Sequence, residues 1–382
     1  MKITGVICEY NPLHLGHKKQ IDAIRRLQGP DTAVVCLMSG NFVQRGYPAV
    51  FPKMARAEAA LRCGADLVLE LPVTYALSSA EGFAAGGVRV LSAFCDNLCF
   101  GAEDADPAAL FSLARALLTP EFSQALRAQL DAGLSFPAAR QRALQAMGLD
   151  AAALEKPNNI LAVEYCKSIL SQGSSMDILP IHRPGSYHAL APDASNPSAT
   201  SLRCLAESGQ DIAPFLPAEA ATILASSPLF TLSAGERAML ARLRTMTDAE
   251  FEALPYGSEG LWRKFMHACR QEADLESILT AAKSKRYTRS RLDRMAMCAF
   301  LGITQDDLNI PAPYTRVLAM NDRGRKVLKL AKGHTRILNA GDQPQDAYYI
   351  LEKRCSDLYG LFRTESPQAP GQEERLRIVL QT

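Results

Sequence analysis

Two histidines three residues apart, His14 and His17, bracket Gly16 in the run Asn11-Pro12-Leu13-His14-Leu15-Gly16-His17. Residues three apart share a face of a helical turn, so both imidazoles would meet the same ligand. Two imidazoles can donate hydrogen bonds to a phosphate whose charge grows in a transition state. Gly16 removes a side chain where a phosphate must approach the backbone closely. The spacing therefore points to chemistry at a phosphate group. A metal site would need a third ligand, and the sequence offers none, so the expected set of metal ligands is none.

That turn needs a strand before it and a helix after it. Ile3–Glu9 reads as a buried strand and Leu13–Leu27 as a helix. Thr32–Ser39, Asp66–Leu71, Asn97–Phe100 and Met176–Arg183 read as further strands, and the unbroken apolar runs are of the kind found in parallel sheets. Helices over Pro52–Cys63, Ser78–Phe94 and Pro157–Leu170 alternate with them. The expected fold class is α/β: a Rossmann-like parallel sheet over residues 1–210, with a helical insertion at about 106–149, followed by a mainly α-helical domain over 211–382. The tail Thr364–Glu374 reads as loose. In such a sheet ligands bind at the carboxyl ends of strands, and a helix N-terminus there presents free N–H groups to phosphate. His14 and His17 are therefore expected to face solvent in a cleft.

Ser39–Gly46 follows the second strand and falls over the same cleft, so Gln44 and Arg45 are candidates for a small carboxylate or for phosphates. Lys53 and Arg56 begin the next helix and are candidates for the same ligands, the alternative reading of each being a solvated charge. Ser198 to Arg203 opens another helix, with hydroxyls able to cap it and Arg203 within reach of phosphate. Lys283–Arg294 carries six basic residues and one acid. Tyr287 lies among them, a composition that suits RNA phosphates with a stacking base. The tRNA-facing candidates below are drawn from it.

The 382 residues carry 42 Lys+Arg against 40 Asp+Glu, a net charge of +2, so any polyanion site must be local. The ten cysteines have no CxxC spacing and most lie in apolar segments, as buried reduced thiols do. No GxGxxG, GxxxxGK(S/T) or GxSxG motif occurs, which disfavours dinucleotide binding, P-loop chemistry and serine hydrolysis. No apolar run approaches the roughly 20 residues of a membrane span, and MKITGVICEY lacks a signal-peptide pattern. The expectation is a soluble, cytoplasmic protein with no membrane partner.

The turn resembles the HxGH signature of the nucleotidyltransferase superfamily. GVICEYNPLHLGH, MSGNFVQRGYPAVFPKMARAEAALRCGADLVLELP, KPNNILAVEY and SKRYTRSRLDR are, in that order, similar to the bacterial tRNA(Met) cytidine acetate ligase family over nearly the whole chain. Cys8, Leu13, Leu15 and Tyr47 depart from the family's usual Ala, Phe, Asn and Glu. The resemblance implies activation of acetate with ATP to acetyl-adenylate, then acetylation of the wobble cytidine of elongator tRNA(Met). It implies His14 and His17 as catalytic residues. It implies an ATP-binding set of Ile7, Cys8, Glu9, Tyr10, Asn11, Pro12, Leu13, His14, Leu15, Gly16, His17, Lys18, Lys19 and Gln20, with Gly101, Asn158 and Arg183. The residues agree: Gly101 ends a parallel strand, Asn158 follows Lys156-Pro157 at a helix start, and a guanidinium at Arg183 suits phosphate. Magnesium is expected with the ATP phosphates. Lys283, Lys285, Arg286, Arg289, Arg291 and Arg294 are the candidate tRNA contacts. An adenylyltransferase acting on a small phosphate-bearing metabolite would not need that basic segment.

Overall fold

A computed structural model describes residues 1–183, 197–331 and 336–381. The strands are β1 (Ile3–Cys8), β2 (Ala33–Ser39), β3 (Phe42–Val43), β4 (Tyr47–Pro48), β5 (Leu67–Leu71), β6 (Asn97–Ala102), β7 (Asp177–His182), β8 (Tyr314–Asn321), β9 (Arg336–Asn339) and β10 (Val379–Gln381). The main sheet runs β10-β8-β5-β2-β1-β6-β7, with β9 also on β8. The pairs β2–β1, β1–β6, β6–β7 and β5–β2 are parallel, as the apolar runs predict. All seven residues of β2 are buried, because helices cover both faces. The β5–β8 pair is antiparallel.

The helical insertion is present as Pro107–Ala116, Pro120–Asp131 and Phe136–Ala146. Each starts at a proline or within one residue of it, where the missing N–H costs nothing, and Asp106 and Thr119 cap the first two. The stretch from Ala218 to Asn309 contains only helices. Their apolar faces meet in one cluster that includes Phe265, Leu292 and Phe362, and Phe42 from the β3–β4 hairpin enters the same cluster. The Phe42 ring lies 5.8 Å from that of Tyr359.

Three readings of the C-terminal part are corrected. Residues 211–382 are mainly helical as expected, but they also hold β8, β9 and β10, with which the chain returns to the first sheet. The tail is not loose: Glu373, on the short helix Gln372–Arg375, is 1% exposed. Lys53 is not solvated, and its Nζ donates to both oxygens of Glu70 (2.7 and 2.9 Å) and of Glu373 (2.9 and 2.7 Å). Arg316, in the middle of β8, lies 3.3 Å from Glu373. Burial works against the Lys53 ammonium, yet Glu373 and Glu70 hold its pKa above the usual value. Lys53, Glu70, Arg316 and Glu373 form one charge cluster assembled by tertiary structure. It lets cations occupy positions that local pattern assigns to the surface.

All ten cysteines are free, and nine are buried. Among the described residues no helix is long and apolar enough to cross a membrane.

Candidate functional site

The first helix is Leu15–Gln28, and His14 is its N-cap in extended conformation. His14 Nδ1 accepts from the Gly16 N–H at 3.1 Å, and the His14 N–H donates to His17 Nδ1 at 3.3 Å. This reciprocal cap satisfies helix N–H groups that would otherwise lack partners. The two rings stack with centroids 3.8 Å apart. With Nδ1 accepting on both rings, the proton of each neutral imidazole sits on Nε2. Among the described residues the buried Nε2 of His14 meets no partner, which leaves it for a ligand.

The expectation that both histidines face solvent in the cleft is corrected for His14, which lines the cleft but is 0% exposed, whereas His17 lines it half-buried. Burial, then the Arg183 charge, pulls the His14 pKa down to about 3. His17 is lowered too, by burial first and then by His14 and Arg183. Both rings are therefore neutral N–H donors at pH 7.

The cleft has a cavity volume of about 190 Å³ and is open to solvent. Of the expected ATP-binding set, Ile7, Cys8, Glu9, Tyr10, Asn11, His14, His17, Gln20, Gly101, Asn158 and Arg183 line it. Pro12, Leu13, Leu15, Gly16, Lys18 and Lys19 do not. Leu13 is in the core, Gly16 serves the cap, and Lys18 pairs with Asp22 at 2.5 Å. Asn11 Oδ1 accepts from the Val50 N–H at 2.8 Å. On the opposite wall, Asn158 Nδ2 donates to Glu103 Oε1 at 2.7 Å. A Cβ added to Gly101 would touch Arg183 Cδ at 3.4 Å, so the strand end and the guanidinium form one surface.

Gln44 and Arg45 line the cleft as expected, but Arg56 does not. It is fully buried, and its guanidinium donates to the carbonyls of Phe51 (2.9 Å), Glu9 (2.7 Å), Ser39 (3.0 Å) and Gly40. It thus ties the carboxyl ends of β1 and β2 together. Ser198 caps Ala199–Glu207 as expected. Arg203 is turned to the Asn11 carbonyl at 3.0 Å and to Thr200.

Sequence reasoning missed the apolar floor of Phe83, Phe100, Leu161 and Tyr165. Its one signal was position: Phe100 precedes Gly101, and Tyr165 closes the KPNNILAVEY run. Burial, then Cys8 and Glu9, pushes the Tyr165 hydroxyl up, so it stays an O–H group.

The basic segment abuts this cleft. Gly46 has φ +82, and a Cβ there would lie 2.6 Å from the Arg294 nitrogen, so only glycine lets the hairpin meet the helix Arg289–Leu301. Tyr47, at a position the resemblance gives to Glu, donates to the buried Asp293 at 3.1 Å, which an ionised Glu could not do. Of the six candidate tRNA residues, Lys283, Lys285 and Arg286 are exposed. Arg289 pairs with Glu276 and Asp293, Arg291 donates to the Tyr256 carbonyl and Ser258, and Arg294 lies over the Tyr256 ring. Among the described residues no group of three or more His, Cys, Asp or Glu could hold a metal ion.

Comparison with known proteins agrees with this geometry. A model of the family described as HIGH Nucleotidyl Transferase matches residues 1–374. The tRNA(Met) cytidine acetate ligase of Clostridium novyi is 37% identical over 87% of this chain and 88% of its own length. That of Acetivibrio thermocellus is 32% identical over 100% of both chains. The crystal structure of Thermotoga maritima TmcAL in apo form superposes with a TM-score of 0.92 at 30% identity, covering 100% of this chain and 99% of that one. The form bound with alpha-thio ATP gives 0.89 at 31% identity, with the same coverage. The chain belongs to the HIGH nucleotidyl transferase family.

Proposed function

We propose that this chain is a tRNA(Met) cytidine acetate ligase. In the first step an acetate oxygen attacks the α-phosphorus of ATP, and pyrophosphate leaves. In the second, the exocyclic amine of the wobble cytidine of elongator tRNA(Met) takes the acetyl group and AMP is released. The observation that carries this reading is the stacked pair of neutral imidazoles, His14 buried with an Nε2 that meets no partner among the described residues and His17 half-buried beside it, in a cleft that also holds Arg183 and Arg45. Preorganised donors of this kind act on charge that develops in the transition state and need no reorganisation at that moment. The names of the relatives supply the acid and the tRNA.

On this reading Gly101, Asn158 and Arg183 hold the nucleotide on the β6–β7 side. The helical stretch after 211 brings tRNA to the cleft, with Lys283, Lys285 and Arg286 as its exposed cations. An anticodon loop is single-stranded, so its base can enter the cleft without breaking a duplex. Magnesium enters with the ATP phosphates as part of the substrate. The work belongs in the cytoplasm, with the tRNA.

The test is to incubate the protein with ATP and acetate, with and without tRNA. Acetate-dependent release of pyrophosphate and AMP is expected, and an ADP product would discard the mechanism. An adenylyltransferase would release pyrophosphate only with its metabolite and would not respond to acetate.

A further inference from the structure

The second step releases a proton from the cytidine amine, and some group must take it. The two histidines are unsuited: each neutral ring uses its Nδ1 lone pair on a main-chain N–H and carries its proton on Nε2. Tyr165 stays protonated, and so does the Cys8 thiol, whose pKa burial raises. The remaining polar lining is amide, hydroxyl and guanidinium. Glu9 is the one carboxylate among the described residues that line the cleft.

Its geometry is unusual for a nucleotide ligand. A carboxylate repels both the phosphates of ATP and acetate, so the first step gains nothing from it directly. Glu9 Oε1 accepts from the Gln44 N–H at 2.9 Å, while Oε2 has no hydrogen bond to any described residue. The Glu9 main chain is fixed by Arg56 at 2.7 Å. The sheet order also separates Glu9 from the nucleotide wall. Gly101 and Arg183 sit on β6 and just after β7, on one side of β1, whereas Gln44 follows β2 on the other. The same hairpin is backed by Arg294, whose Nη1 donates to the Gln44 carbonyl at 3.4 Å. A base arriving past the basic segment reaches the Glu9 side of the cleft first.

We propose that Glu9 is a catalytic residue of the transfer step, with Oε2 accepting the proton of the cytidine exocyclic amine. The inference rests on the acetate ligase reading. The amine nitrogen forms a bond to the acetyl carbon. The bond from that carbon to the adenylate oxygen breaks, its electron pair leaves with AMP, and the amine proton passes to Glu9. The Gln44 N–H holds the other oxygen, so the carboxylate meets the amine in a fixed orientation.

The experiment compares the wild type with E9Q and E9A in two assays. One is acetate-dependent exchange of pyrophosphate into ATP. The other is single-turnover acetyl transfer to tRNA from preformed acetyl-adenylate. In E9Q the side-chain oxygen still accepts from Gln44, so the loop keeps its anchor. Transfer in E9Q should fall at least about 10²-fold further than exchange, the lower end of a general base's contribution. E9A should lose the loop anchor as well and reduce both rates. Equal losses in the two assays of E9Q, or unchanged transfer, would overturn the role. Absence of acetate-dependent exchange in the wild type would instead refute the ligase reading itself.

Discussion

Arg56→Lys keeps the charge at a buried position and changes only its shape. The guanidinium makes four hydrogen bonds from three nitrogens, reaching carbonyls of Glu9, Ser39, Gly40 and Phe51. A lysine has one nitrogen. Placed where Nη1 sits it keeps the Glu9 and Ser39 carbonyls, at 2.7 and 3.0 Å, and abandons Phe51 and Gly40. Each lost bond to a charged donor costs about 1.5–3 kcal/mol, so the variant should be less stable by about 3–6 kcal/mol. Urea unfolding at pH 7, followed by circular dichroism, measures it. The loss should be accompanied by weaker acetate-dependent pyrophosphate exchange, because Gly40 leads into Gln44 and Arg45 at the cleft. A loss below about 1 kcal/mol with normal exchange would refute the idea that this arginine joins the ends of β1 and β2.

Four further outcomes are expected. His14→Ala and His17→Ala should each lower adenylate formation by about 10²–10³-fold, and His14→Ala should also cost about 1 kcal/mol for the lost cap. Because both rings are held neutral, the exchange rate should show no histidine step near pH 6.5, whereas stability should fall as pH drops from 6.5 toward 3, where only the unfolded chain takes up the protons. Lys283→Ala, Lys285→Ala and Arg286→Ala together should flatten the plot of log tRNA affinity against log salt by about two units, at about 0.7 per phosphate contact. An unchanged slope would remove that segment from the tRNA path. Burial, then Glu70, pushes the Glu352 carboxyl up to about 7. The folded state thus holds a proton that the unfolded state has lost, and stability falls as pH rises from about 4.5 to 7. Glu352→Gln should remove that slope and stabilise the protein at pH 8 by about 1–3 kcal/mol; thermal melts across that range check it.

The parallel half of the fold was legible because its strands are short, mostly apolar runs closed by turn residues and alternating with helices. β8 was not, since Tyr314–Asn321 carries Arg316 in its centre and follows two prolines. A charge in a central strand is tolerable only when carboxylates from distant segments surround it, and Glu70 and Glu373 reach it from far away in sequence. The same limit hid Lys53. At the site, the histidine spacing revealed the turn but not its tautomers, which depend on which ring nitrogen meets the backbone. Glu9 was visible only as part of a motif. Its distinct position appears once Gln44 is seen to occupy one of its oxygens.

The ion pair between Lys53 and Glu373 joins residues 320 apart in the chain. On a ribosome adding roughly 5–20 residues per second, about 16–64 s pass between the two. Until Tyr314–Asn321 is made, β5 has no β8 beside it, and its five residues, all buried in the finished protein, form an open edge. Exposed edges of this kind pair with other chains. A message that stops before Tyr314 therefore yields an aggregating fragment, not a working ATP-binding half. Chaperone demand during synthesis is set by how long the last strands take to arrive.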